Sequence, residues 1–161
     1  MEFKPKDQLI ETFDNLKIFL AGTIDNGASV DWQTKTVNHI HERLGNDVHI
    51  YNPRNSDWNP ELLPELSVPE FRKQVQWEYR GLCLADEIIM CFLPNSKSPI
   101  TLMELGWFAS SGKISVICPK DFYRKGNVDF ICEVEGIPQY NTIEDAVRMI
   151  KKRNKCTLLQ Q

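Results

Sequence analysis

Two glutamates stand out for the company they keep. Glu104 sits in the second turn of Ser98-Pro99-Ile100-Thr101-Leu102-Met103-Glu104-Leu105-Gly106, an otherwise apolar helix start. Its neighbours Leu102, Met103 and Leu105 are core-like, so its carboxylate lies either on a wet helix face or in a cleft. By residue type alone a lone glutamate is a surface residue. Glu78 is the second. Phe71, Gln74, Glu78 and Leu82 recur at helical spacing, which puts Gln74 and Glu78 on one face beside Trp77. Spacing alone favours a solvated Gln/Glu stripe. Carboxylates that meet in a cleft can divide nucleophilic and general-acid work, because each raises the other's pKa. Asp86 is a third carboxylate, read as a strand-edge residue at the far end of the sheet.

The elements that would position these groups alternate. Lys17–Gly22 reads as a buried strand ending at glycine, and Val30–Leu44 as a helix with Val37, Ile40 and Leu44 inward. Val48–Tyr51 is a short strand. Asn52–Pro69 is a loop with prolines at 53, 60, 64 and 69; a loop of that length is usually functional. Pro69–Leu84 is a helix with Phe71, Val75 and Leu82 inward, and Glu87–Leu93 a central strand. A helix then runs to Ser111, with Ser98 as its cap and Pro99 in its first turn. Ile114–Cys118 is a strand, Gly126–Glu133 a short helix, Ile137–Tyr140 a strand and Thr142–Lys152 a helix capped by Thr142. Continuous apolar strands between helices predict an α/β fold: a doubly wound, five-stranded parallel sheet of flavodoxin or Rossmann type, with helices on both faces. Its crevice lies at the C-terminal strand ends, where Gly22–Gly27, Asn52–Trp58 and Pro94–Glu104 converge. Residues 1–16 read as a leader or short added helix, 17–153 as the single domain and 154–161 as a tail.

Other chemistries find no motif. Gly22-Thr23-Ile24-Asp25-Asn26-Gly27 is not a dinucleotide fingerprint, and no phosphate-binding P-loop or G-x-S-x-G elbow is present. His39, His41 and His49 make no metal pair on a helix face. No metal or cofactor is therefore expected. The 161 residues are 42% hydrophobic and 25% charged with net charge −3, which suits a soluble domain without a nucleic-acid or membrane surface. The N-terminus leads into no apolar signal segment, and no apolar run is long enough to span a bilayer. Five widely spaced cysteines, mostly in apolar runs, read as buried reduced thiols and a cytoplasmic location.

An ordered set of short elements resembles the nucleoside 2-deoxyribosyltransferase family, in its bacterial and phage-type branch. The set comprises Phe19-Leu20-Ala21-Gly22-Thr23-Ile24 with Trp32-Gln33, Asn52-Pro53-Arg54 with Asp57-Trp58, and Phe71, Gln74-Val75 and Trp77-Glu78. Ala85-Asp86, Pro99-Ile100, Glu104-Leu105-Gly106, Gly112-Lys113, Cys118-Pro119, Phe122 and Gly126-Asn127-Val128 complete it.

The resemblance implies that Glu104 attacks C1′ of a deoxyribose, the base leaves, and a second base captures the sugar from a covalent glutamyl intermediate. It assigns base contact or general-acid work to Glu78. It places Gly22 and Thr23 at the sugar and Asn52, Asp57 and Trp58 near the base, with Gln74 and Ser98 also among the substrate-binding residues. Asn127 would reach the neighbouring subunit's site, which implies a homodimer or higher homo-oligomer. The partners implied are a deoxynucleoside and a free nucleobase, in nucleoside salvage. Asp25 and Asn127 lean toward nucleosides over 5′-phosphates, since an aspartate repels phosphate. One departure stands out: the family's classical transferases carry an aspartate against the base six positions before the nucleophile, and this chain has Ser98. An N-glycoside hydrolase on the same scaffold is the alternative. Further readings are a nucleoside-binding sensor without catalysis and a ligand-free adaptor, the last disfavoured by the polar and aromatic loops.

Overall fold

The computed structural model describes residues 1–11 and 15–158, with the side chains of Asn26 and of residues 155–158 left out. Six parallel strands form one sheet in the order β1-β3-β2-β4-β5-β6: β1 (Glu2–Phe3), β2 (Lys17–Gly22), β3 (His49–Tyr51), β4 (Glu87–Cys91), β5 (Ile114–Ile117) and β6 (Gln139–Tyr140). The helices are α1 (Trp32–Leu44), α2 (Pro69–Leu84), α3 (Pro99–Phe108), α4 (Lys125–Glu135) and α5 (Ile143–Leu158). This is the expected Rossmann-like α/β class, with one strand more than the five foreseen. Among the described residues no helix is long and apolar enough to cross a membrane.

Burial on both faces explains the continuous apolar strands. Along β2, Ile18 and Leu20 pack with α1 and α5, while Phe19 and Ala21 pack on the opposite face with α2, α3 and α4 residues. The chain winds from β2 out to β3, then crosses to β4 and winds the other way. The topological switch point therefore lies between β2 and β4, whose register runs from Ile18↔Glu87 to Gly22↔Cys91.

The first residues are built into the sheet rather than forming a loose leader. Glu2–Phe3 pairs with β3, and Phe3 packs edge-on against His49 and Tyr51. Tyr51 Oη and Trp77 Nε1 then donate to the Ile10 and Asp7 carbonyls at 2.8 and 2.9 Å. A two-residue strand carries no periodicity, which is why pattern reading passes over it. Residues 12–14 of the expected leader lie outside the described residues. The expected tail is partly helical, since α5 continues to Leu158.

Two helices turn differently from their apolar pattern. α2 buries Gln74, Trp77, Gly81 and Leu82, whereas Val75 is exposed. Gly81 sets this rotation: a Cβ there would come within 2.7 Å of the Phe19 ring. α3 buries Thr101, Glu104 and Leu105 and exposes Ile100, Met103 and Trp107. A helix that hides its carboxylate and shows its large apolar side chains inverts the usual amphipathic arrangement. Gly106 meets nothing within 4 Å, so no backbone approach requires it. Nor are the thiols uniformly buried: Cys83 is exposed and Cys118 half-buried, and the Cys156 side chain lies outside the described residues.

Candidate active site

Glu104 is 8% exposed on the inner face of α3, in line with Ser98 and Thr101. Half-buried Glu78 comes from α2, and its charge reaches Glu104. Gln74, one turn earlier, donates to Glu78 Oε1 at 2.6 Å and to the Pro53 carbonyl at 3.3 Å. The shared Gln74/Glu78 face is therefore real, and it points inward. Burial pushes the Glu104 carboxyl up to about 8, and the Glu78 charge adds to the shift. Burial likewise pushes Glu78 up to about 7, against the Gln74 hydrogen bond, which favours its ionised form. Two such groups titrate as a pair, and near neutral pH they retain a proton between them. The pair can thus supply one carboxylate and one acid.

The loop after β2 is held close to the end of β4. A Cβ at Gly22 would collide with the Cys91 carbonyl oxygen and come within 2.7 Å of the Trp32 ring, so only glycine fits. Thr23 follows, 1% exposed, with its amide donating to the Cys91 carbonyl at 3.0 Å and its carbonyl receiving Trp32 Nε1 at 2.8 Å. Ser98 stands at the N-cap of α3, as its position suggested, but its side chain does not cap the helix. The residue is left-handed (φ 41°), makes no side-chain capping bond, and joins its hydroxyl to Thr23 at 2.6 Å and Ser96 at 2.8 Å.

The remaining expected residues are spread more widely. Asn52 is buried, but its amide is spent internally: Nδ2 donates to Glu2 at 2.7 Å, and Oδ1 accepts from the Arg54 amide at 3.0 Å. Asp57 is exposed and ion-paired with Lys6 at 2.6 Å. Trp58 is half-buried. Asp57, Trp58 and Gln74 share a groove of about 1180 Å³ with Trp77 and Arg80, and neither Glu104 nor Glu78 lines it. Gln74 lines the groove and also holds Glu78 by its hydrogen bond. Asn127 is exposed in the first turn of α4. The structure thus brings together Glu104, Glu78 and Gln74, and separately Gly22, Thr23 and Ser98. It leaves Asn52 engaged elsewhere and Asn127 on the surface.

Two contributors were not singled out from sequence. Ser96 links Ser98 to Asp25, donating to Asp25 Oδ1 at 2.9 Å. Arg54 braces the first loop by donating to the Gly27 and Ser29 carbonyls, both at 2.9 Å. The Asn-Pro-Arg tripeptide marks Arg54 as unusual, but nothing in spacing predicts a contact across 27 residues. Among the described residues no group of three His, Cys, Asp or Glu side chains could hold a metal ion.

Comparison with known proteins agrees with this geometry at the level of fold and family. No curated protein matches the chain in sequence. A crystal structure of a conserved protein from Enterococcus faecalis V583 superposes with a TM-score of 0.62, covering 86% of this chain and 99% of that one at 13% identity. At that identity it shows a shared fold. The family model described as nucleoside 2-deoxyribosyltransferase like matches residues 15–122, a stretch that holds β2 through β5 with Glu78, Ser98 and Glu104. The chain belongs to the nucleoside 2-deoxyribosyltransferase-like family.

Proposed function

We propose that the protein cleaves the N-glycosidic bond of 2′-deoxynucleosides and transfers the deoxyribosyl group to a second nucleobase. The observation that carries this reading is the juxtaposition of buried Glu104 with half-buried Glu78, whose charge adds to the upward shift that burial gives Glu104. In the reacting form the pair's proton sits on Glu78, the less basic of the two, and the Glu104 carboxylate bonds to C1′ as the C1′–N bond breaks. The electron pair of that bond goes to the base nitrogen, which takes a proton from Glu78. The transition state is oxocarbenium-like, so a carboxylate at C1′ stabilises the charge it later bonds. A second base then attacks C1′, Glu104 leaves as carboxylate, and the incoming base returns its proton to Glu78. Two displacements retain configuration at the anomeric carbon.

The test is base exchange. Incubation of a deoxynucleoside with a second free base should yield a new deoxynucleoside, and Glu104→Ala should abolish it. Undiminished exchange by that variant would sink the mechanism. The alternative is hydrolysis, with water attacking the same intermediate. It draws support from Ser98, whose proton is taken up in the contacts with Thr23 and Ser96 and which lacks the charge by which an aspartate would hold an acceptor base. Base release independent of added base identifies that outcome.

We further propose that the active form is a homo-oligomer with Asn127 serving the neighbouring copy. Asn127, Phe130 and Val134 fall on one side of α4, and Phe130 and Val134 are 64% and 63% exposed. Exposed Ile100, Met103 and Trp107 add an apolar row on α3, with Tyr79 stacked on Trp107 at 5.1 Å. Apolar surface of this extent commonly marks an association face. Light scattering should show a dimer or larger, and Phe130→Glu should shift it to monomer with loss of turnover. A fully active monomer would refute the shared site.

A further inference from the structure

Three buried hydroxyls run in a row across the switch point. Thr23 follows β2; Ser96 and Ser98 follow β4. They are 1%, 6% and 5% exposed. Thr23 Oγ1 lies 2.6 Å from Ser98 Oγ, which lies 2.8 Å from Ser96 Oγ, which lies 2.9 Å from Asp25 Oδ1. At the other end the Leu93 amide donates to Thr23 Oγ1 at 3.0 Å. Among the described residues, the three non-glycine residues with positive φ, Asp25, Asn95 and Ser98, all lie in the two loops that form this row. Strain of that kind is retained where a geometry is over-determined by its surroundings.

Proton counting gives the row a direction. Each hydroxyl carries one proton. A carboxylate only accepts, so the Ser96 proton goes to Asp25. Ser96 must then accept from Ser98, and Ser98, its own proton spent, must accept from Thr23. The reverse orientation would leave the 2.8 Å Ser96–Ser98 contact without a proton. All three protons therefore point toward Asp25, and Thr23 and Ser98 keep only lone pairs.

We propose that the Asp25–Ser96–Ser98–Thr23 row is a specificity device, in which one carboxylate turns three hydroxyls into a wall that accepts ligand protons and offers none. A ligand group that meets this wall must bring its own proton, as a sugar hydroxyl or a base N–H does. A phosphate oxygen finds no donor among these hydroxyls and meets the Asp25 charge at the exposed end of the row. Ser98 thereby gains acceptor character backed by a carboxylate two hydroxyls away. This inference rests on the deoxynucleoside reading above. It assigns positioning roles to Asp25 and Ser96, which need not touch the reacting atoms.

The test is calorimetric binding in a Glu104→Gln background, which prevents turnover. The probes are the common 2′-deoxynucleosides, their 5′-monophosphates, 5′-deoxy analogues and N-methylated bases. The parent should prefer nucleosides to monophosphates. Asp25→Asn and Ser96→Ala, each checked for folding by thermal melting, should both narrow that preference about tenfold, the scale of one hydrogen bond. Ser96→Ala is the decisive variant, because it cuts the row while leaving the Asp25 charge in place. A narrowed preference in Asp25→Asn alone would mean simple charge repulsion and overturn the proposal. Loss of about tenfold in affinity on removing the 5′-hydroxyl or the base N–H identifies which donor meets the wall; loss with neither overturns it. Failure of every probe to bind the parent would overturn the deoxynucleoside reading and this inference together, whereas parent binding with both variants unchanged overturns this inference alone.

Discussion

Glu87 and Glu104 are equally buried, each 8% exposed, yet the two ends of the sheet treat them in opposite ways. At the N-terminal ends of the strands, Glu87 receives Arg153 Nη2 at 2.6 Å and Nε at 3.3 Å, with Asn154 Nδ2 at 3.2 Å. Nearby, Lys17 lies 3.8 Å from Asp86, which also accepts the Lys17 amide at 2.8 Å. Opposite charges meet there, and the product is a clamp of α5 onto β4 and β5. At the C-terminal ends, the strongest charge acting on Glu104 is a like one, that of Glu78. Burial without a counter-ion raises a carboxyl's pKa, whereas burial with one fixes its charge. Residue type and exposure alone do not separate a structural acid from a chemical one; the partner does.

The largest expected break of this comparison is at Glu104. Replacement by Ala should lower exchange turnover by about 10³-fold or more, because it removes the nucleophile of the proposed mechanism. The same site should raise stability. The folded-state carboxyl titrates at about 8 against an ordinary 4.5, so the folded protein binds the proton more tightly than the unfolded chain. Stability from this group is fullest in acid and falls as pH rises from about 4.5 toward about 8. Glu104→Gln carries no such loss, and its melting temperature should exceed the parent's at pH 8 and approach it at pH 5.

Arg153→Met should do the reverse. It strands Glu87 without its cation, at a cost of about 2 kcal/mol, discounted because Arg153 reaches solvent. Denaturant unfolding should show that loss while kcat of the folded enzyme stays at the parent value. A change in kcat comparable to that of Glu104 variants would erase the distinction between the two ends.

Glu78→Gln ranks next, with a loss of about 10²-fold if it is the general acid. The parent's rate should follow a bell in pH with its limbs near the values of the pair, about 7 and about 8. On the acid side both carboxyls are protonated and no nucleophile remains; on the alkaline side both are ionised and no acid remains. The Glu78 variant should lose the alkaline limb, and retention of both limbs would assign the acid elsewhere.

Much of this contrast was legible before the coordinates. The α/β class, α2 at its observed bounds and the joint Gln74/Glu78 face follow from periodicity, because a repeat of 3.6 survives single exceptions. Glu104 was legible only as an oddity in an apolar helix. Its burial depends on α3 turning its apolar row outward, which no local pattern announces. The edge strand Glu2–Phe3 was missed because two residues hold no period. Ser-Pro places the start of α3 and its N-cap residue correctly, but the left-handed φ and the turning of the Ser98 hydroxyl from the helix amides to Thr23, 75 residues away, are tertiary facts. Asn52 and Asp57 show the converse: polar residues at the right strand end whose side chains are engaged by Glu2 and Lys6.

The smallest expected effect is the most pointed, because it moves only the tuning of the pair. Gln74 donates to Glu78 at 2.6 Å and thereby favours its ionised form. Gln74→Leu removes that donor from a buried site, so the charged carboxylate becomes less favourable and its pKa rises. Glu78 would then keep its proton to higher pH, and because the two carboxyls titrate as a pair both limbs of the rate profile should move up, by less than about one unit. The rate at the optimum should fall by less than about tenfold, since the nucleophile and the acid are both retained. A limb that moves down instead would mean that the amide stabilises the neutral acid. A limb that stays in place would mean that the alkaline titration belongs to a group other than Glu78. Either result would remove the asymmetry between a carboxylate held by a cation and one held by an amide and a like charge.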